Sequence, residues 1–187
     1  MDLSPWKPRD LVDATKLNSR VRDPHRELSN PARMSAKGLS KISKVPDSDT
    51  YLPLKWDVAQ SWGGWGVNDS TAFTVPASGY YAITAAVTAL SPKGTGTKPV
   101  LRLLCVNIGS NDREYEWFRA DTNTMVPGTY VTCSLRGIGY ADKGDRLSLR
   151  AAVPKGAGGW EVSPSPRPSE QLNHFSAVLI APGATHP

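Results

Sequence analysis

Carboxylates interleaved with aromatics are the densest chemical signal in the chain. Asp112, Glu114, Glu116 and Asp121 stand with Arg113 and Arg119 around Tyr115, Trp117 and Phe118. Two carboxylates facing each other could cut a glycosidic bond, one as acid and one as nucleophile or base. Here, though, Glu114 and Glu116 alternate with Tyr115 and Trp117, which is the period of a half-exposed strand, and that is the favoured reading. A polar, aromatic binding patch is the second reading.

Other reactive groups are sparse. His25, His174 and His186 are far apart in sequence, and His174, at the entry to the last strand-like segment, is expected to be structural. Neither a Gly-X-Ser-X-Gly elbow nor a His-Glu-X-X-His site occurs. Lys93-Gly-Thr-Gly-Thr-Lys98 lacks the Gly-Lys-Ser/Thr ending of a phosphate cradle and reads as a hairpin loop. Cys105 and Cys133 sit singly in apolar segments without metal or redox spacing, so they are expected to be buried free thiols. No catalytic residue, metal or cofactor is expected, and a polysaccharide depolymerase stands as the enzymatic rival.

Tryptophan is the other unusual supply. Trp56, Trp62 and Trp65 crowd one stretch and Trp160 follows two glycines. An indole has a large apolar area and a single donor, so it suits a core, an intersubunit seam or sugar stacking. These four, with Tyr115 and Trp117, are the candidates for ligand or intersubunit contact.

The elements that must position these residues read as short strands. Sixteen Gly and sixteen Pro in 187 residues punctuate the chain too often for long helices. From Tyr51 onward period-two segments dominate. Tyr81, Ile83, Ala85, Val87 and Ala89 share one face of a long strand whose other face carries the small residues Ala82, Thr84, Ala86 and Thr88. Val100 to Ile108 is apolar on both faces apart from Arg102 and Asn107 and reads as a central strand covered on both sides. Val131, Cys133 and Leu135 alternate in another, and Leu147, Leu149, Ala151 and Val153 in the next, after the turn Asp142-Lys143-Gly144-Asp145. His174 to Ala181 closes the series.

The first quarter differs. Residues 1–46 hold ten Lys and Arg against five Asp and Glu, whereas residues 47–187 hold twelve of each. A basic arm over 1–48, ahead of a neutral head over 49–187, is therefore expected to lie on an acidic surface, with protein favoured over nucleic acid. Asp13 can cap a short helix at about 14–22 with Leu17 and Val21 on one stripe, and 31–48 reads as a linker. No apolar run is long enough to span a membrane, and the start lacks the apolar segment of a signal peptide, so a soluble protein retained in the cell of synthesis is expected.

Three motifs in order carry a resemblance. Phe73-Thr-Val-Pro76-Ala-Ser-Gly79-Tyr80-Tyr81 opens the long strand, Gly144-Asp145-Arg-Leu-Ser-Leu149 follows late in the head, and Phe175-Ser-Ala-Val-Leu-Ile180 closes it. This order resembles the globular heads of the C1q and tumour necrosis factor superfamily over about residues 50–182. The resemblance implies an all-β, two-sheet antiparallel jelly roll that packs as a homotrimer. No Gly-X-Y stalk precedes it.

The arm carries a second likeness. Trp6-Lys-Pro-Arg9-Asp10-Leu11-Val-Asp-Ala-Thr15-Lys-Leu17-Asn18-Ser-Arg-Val21-Arg22-Asp23 is similar to the start of minor tail and related virion proteins of phages that infect actinobacteria, although Pro24-His25 replaces the usual Asn-Leu continuation. It implies a particle-docking module, carried here on Trp6, Arg9, Leu11, Leu17, Val21 and Arg22, that joins a variable head to other virion proteins. Together the two likenesses imply a virion protein assembled in the host cytoplasm, with its head displayed for host attachment and host cell-wall glycan as the candidate ligand. Capsid decoration is the alternative location.

Overall fold

A computed structural model describes residues 30–39, 43–45, 48–93, 100–123, 126–156, 158–162 and 173–183. The docking-arm residues Trp6 to Arg22, the short helix expected at 14–22 and the loop 94–99 lie outside the described residues. Within them the chain is all-β.

Two antiparallel sheets face each other. The first is built from β1 (Arg33–Leu39), β2 (Ser43–Val45), β4 (Trp56–Trp62), β7 (Gly79–Leu90), β10 (Tyr130–Ala141), β12 (Trp160–Val162) and β13 (His174–Pro182). Its order is β2-β12-β7-β13-β1-β4, with β10 on the other side of β7. The second contains β3 (Leu52–Pro53), β5 (Gly66–Asn68), β6 (Ala72–Thr74), β8 (Val100–Ile108), β9 (Glu114–Asn123) and β11 (Arg146–Ala152). It runs β5-β6-β11-β8-β9, with β3 also on β11.

Alternation places the core between the sheets. Tyr81, Ile83, Ala85, Val87 and Ala89 of β7 meet Leu101, Leu103 and Cys105 of β8 and Leu147, Leu149 and Ala151 of β11 in one buried cluster. Each of these larger side chains contributes about 1.5–3 kcal/mol by leaving water. The turn before β11 forms as expected: Asp145 N–H donates to the Asp142 carbonyl at 3.0 Å and Gly144 takes φ 94°.

Within the segment read as a linker, Arg33–Leu39 and Ser43–Val45 are strands, and this corrects the boundary read from sequence. Arg33–Leu39 pairs with β13 on one side and β4 on the other, while Ser43–Val45 pairs with β12. Met34, Ala36, Leu39 and Val45 are all buried in the core. The charge assignment moves with the boundary. Residues 1–29 hold six Lys and Arg against five Asp and Glu, so most of the excess lies after residue 29, where Arg33, Lys37 and Lys44 are exposed on β1 and β2. Residues 30–187 are basic and residues 1–29 nearly neutral.

β8 is central as expected, but among the described residues no third layer covers its outer face. Leu104, Val106 and Ile108 form their own buried cluster there. Arg150 of β11 clasps Glu114 of β9 through two hydrogen bonds of 2.8 and 2.5 Å, and Arg146 of β11 pairs with Asp112. Because β8 lies between β11 and β9, the Arg150–Glu114 link crosses over it, whereas Arg146 reaches the β8–β9 turn. The Arg150 guanidinium holds the Glu114 carboxyl below its ordinary range.

Cys105 and Cys133 are buried free thiols. Burial pushes Cys105 up to about 12 and Cys133 up to about 11, the latter helped by the charge of Asp121. A thiolate-directed reagent at neutral pH is expected to label neither in the native protein and both after denaturation, read as thiols released per chain. Rapid labelling in the native state would place them in an open region.

Candidate assembly face and end cleft

Sheet register decides which side chains share the outer face of the first sheet. Ile138 of β10, Ala82 of β7, Val178 of β13, Arg33 of β1 and Trp62 of β4 lie in one cross-strand row. The next row is Arg136, Thr84, Ser176, Ser35 and Gln60. Thr84 and Ser176 share a hydrogen bond of 2.7 Å, and Thr88 and Thr132 one of 2.9 Å. Hydroxyls thus satisfy one another within the sheet, and the β7 positions Ala82 and Thr84 at the centre of these rows are small.

An apolar end adjoins them. Ile138 is 61% exposed and Ile180 43%. Tyr80 and Tyr140 stack edge to face at 5.5 Å beside these two isoleucines, and the Arg33 guanidinium lies 4.6 Å from the Trp62 ring centroid. A solvated sheet face is polar, as the Thr84 row is; the exposed Ile138 and Ile180 are the departure from that pattern.

The second feature lies where β8, β9 and the β10–β11 turn meet. An open cleft of about 470 Å³ is lined by Asn107, Tyr115, Trp117, Tyr140, Asp142 and Asp145. A β-bulge makes it. The pairing of β8 with β9 jumps from Cys105↔Phe118 to Val106↔Glu116, so Trp117 is the extra residue. It is thereby freed from strict alternation and packs beside Phe118, ring centres 5.9 Å apart.

Glycines on β10 receive both rings. A Cβ on Gly137 would fall on the Phe118 ring, and one on Gly139 would sit 2.9 Å from Trp117 Cε3. The Gly137-Ile138-Gly139 spacing therefore opens the inner face of β10 to the aromatics of β9 while presenting Ile138 outward.

Polar atoms line the floor. Asn107 Nδ2 donates to Asp145 Oδ2 at 3.0 Å, and the Asp142 N–H donates to the same oxygen at 3.1 Å. Tyr140 OH donates to Asp142 Oδ1 at 2.9 Å, which raises the Tyr140 phenol above its ordinary value. Asn107 and Asp145 are only 6% and 8% exposed, and Asn107 Oδ1 is buried without a hydrogen-bond partner.

The six candidates for ligand or intersubunit contact separate by burial. Trp56, Trp65 and Trp160 are core residues, 1%, 6% and 0% exposed. Trp56 stacks on Phe175 at 6.2 Å and Trp65 meets the Tyr81 ring edge-on at 5.4 Å. Trp62 belongs to the outer face, and Tyr115 and Trp117 to the cleft. Asn107 and Asp145 were missed as candidates, since a buried Asn inside an apolar strand gives no sequence signal beyond being the polar exception. Among the described residues no group of three or more His, Cys, Asp or Glu could hold a metal.

Solved structures with the same arrangement exist. Eiger TNF from S. frugiperda matches 84% of this chain and 97% of its own at a TM-score of 0.62 and 13% identity. The fold is a TNF-like jelly roll. At that identity the likeness establishes the architecture of the TNF-like head and nothing about its ligand. No family model matches the sequence, and no curated protein matches it.

Proposed function

We propose that the chain is a non-enzymatic phage virion protein, a homotrimeric minor tail or tail-tip component whose arm docks into the particle and whose TNF-like head is displayed for host-surface binding. The observation that carries the self-assembling part is the outer face of the first sheet. Small residues at Ala82 and Thr84, flanked by exposed Ile138 and Ile180, let a second copy approach closely. Three copies around an axis also multiply weak surface contacts into firm retention.

The destination rests on the arm. With the basic excess relocated to the head, charge no longer argues for docking, and the support is the Trp6 to Asp23 likeness to tail proteins of actinobacterial phages. Imaging labelled protein on intact particles tests it: density at the tail is expected, and absence from the particle overturns it.

Assembly is tested separately. Ile138→Arg introduces a charge at an exposed site, so the fold is expected to survive with an unchanged melting temperature. Native mass is expected to fall from three times the 20.2 kDa chain to one. A wild-type chain that sediments as a monomer at micromolar concentration overturns the trimer.

A further inference from the structure

Charge is distributed differently over the two sheets. On the second, the four arginines of β8, β9 and β11 each have a carboxylate: Arg102 with Asp49, Arg119 with Asp121, Arg146 with Asp112 and Arg150 with Glu114. The outer face of the first sheet lacks such pairing. Its cross-strand rows through Ile138, Arg136 and Ser134 contain Arg33, Arg136 and Lys37 and no carboxylate. Among the described residues none of these three cations has an ion-pair partner.

The end cleft has the opposite imbalance. Asp142 and Asp145 line it, and among the described residues neither has a cationic partner. Asp145 is only 8% exposed, and a carboxylate so far out of water is ordinarily paired. Its two donors, Asn107 Nδ2 and the Asp142 N–H, are neutral and both take Oδ2. Tyr115, Trp117 and Tyr140 supply ring walls. A neutral occupant would leave both negative charges uncompensated, so charge selects a cation. A guanidinium suits the walls as well, because it stacks on a ring while bonding a carboxylate. Arg113 already rests on the Tyr115 ring, 5.3 Å from its centroid, without pairing to either carboxylate.

The same chain holds the missing cation, but out of reach of its own cleft. Arg33 on β1 stands three strand spacings from β10, about 14 Å. Its guanidinium lies 4.6 Å from the Trp62 ring centroid on β4, the side away from β10. Two unlike patches that complete each other between copies make a head-to-tail contact, which closes into a ring. Packing two first sheets face to face would instead oppose Arg33, Arg136 and Lys37 to their own kind.

Arg33 is the cation placed for this contact. Rotation about an axis along the strands keeps each residue at its own level, and Arg33 shares the row of Ile138, next to that of Tyr140. Lys37 lies about 13 Å further from the cleft along β1, and Arg136 belongs to β10 itself. We propose that Arg33 of one copy enters the end cleft of the next, with Asp142 as its ion-pair partner and the Asp145 charge adding to the attraction, so that three such contacts close the ring. This rests on the reading of the chain as a homotrimer and assigns the residues that lock it.

The test follows the native mass of the full chain by sedimentation across a dilution series, with circular dichroism confirming that each variant is folded. Arg33→Glu and Asp142→Arg are each expected to raise the concentration at which the trimer dissociates by about tenfold or more, and the double variant, which exchanges the charges, to return to within about threefold of wild type. Should Asp142→Arg not fold, the neutral pair Arg33→Gln and Asp142→Asn decides, since the double variant is then expected to lose no more than either single one. Single variants that trimerise like wild type, or a double variant whose losses add, overturn the contact and leave the trimer standing. A wild-type chain that sediments as a monomer or a dimer overturns the assembly reading and this contact with it.

Discussion

Trp160→Ala is expected to lower the unfolding free energy by about 3–5 kcal/mol, the usual cost of removing a buried Trp or Phe side chain. Trp160 is fully buried on β12, the three-residue strand that joins β2 to β7. Its side chain is thus the principal means by which that small strand is fixed to the core. Chemical denaturation monitored by circular dichroism measures the loss. Trp62→Ala, at a site 40% exposed, provides the contrast and is expected to stay within about 1 kcal/mol of wild type. Trp160→Phe should fall between them, because it retains most of the ring and removes an indole N–H that is buried without a partner. Equal losses at positions 160 and 62 would mean that Trp160 is not in the core.

Gly137→Ala carries the next largest effect. Overpacking a filled core costs about 1–3 kcal/mol, and here the added methyl meets a ring clamped between β9 and β10. Phe118→Ala empties the same space from the other side. Combining the two removes the collision, so the double variant is expected to lose less stability than the single losses predict together. Strict additivity in that cycle would show that Gly137 and Phe118 do not touch.

Legibility in the sequence followed the regularity of the backbone. The strands β7, β10 and β11 are readable because uninterrupted alternation leaves one periodicity to find. β1 is not, since its core residues are Met34, Ala36 and then Leu39: Gly38, at φ 66°, breaks the count of two. Without the partner strands β13 and β4 in view, those spacings looked like a linker, and the misplaced boundary misplaced the charge.

The site was legible only in part. Tyr115 and Trp117 stood out by type, but period two put them on one face of a regular strand. The bulge between Cys105 and Val106 is a property of the pairing, and it alone brings Trp117 beside Tyr140 of a distant strand. Asn107 and Asp145, separated by 38 positions, become neighbours only when β8 and β11 align. The tryptophan cluster misled in the opposite direction, because indoles signal burial and recognition by the same apolar surface, and only accessibility tells them apart.

The placement of β1 has a mechanical consequence. β1 is bonded on both flanks, to β13 along Arg33–Lys37 and to β4 along Arg33–Leu39. A pull along the axis of β1 would load both ladders in shear, so that their hydrogen bonds must yield together rather than one after another. Had the chain entered by an edge strand peeled from its end, a small force would have unzipped it. A force directed along β1 is therefore resisted by two ladders at once.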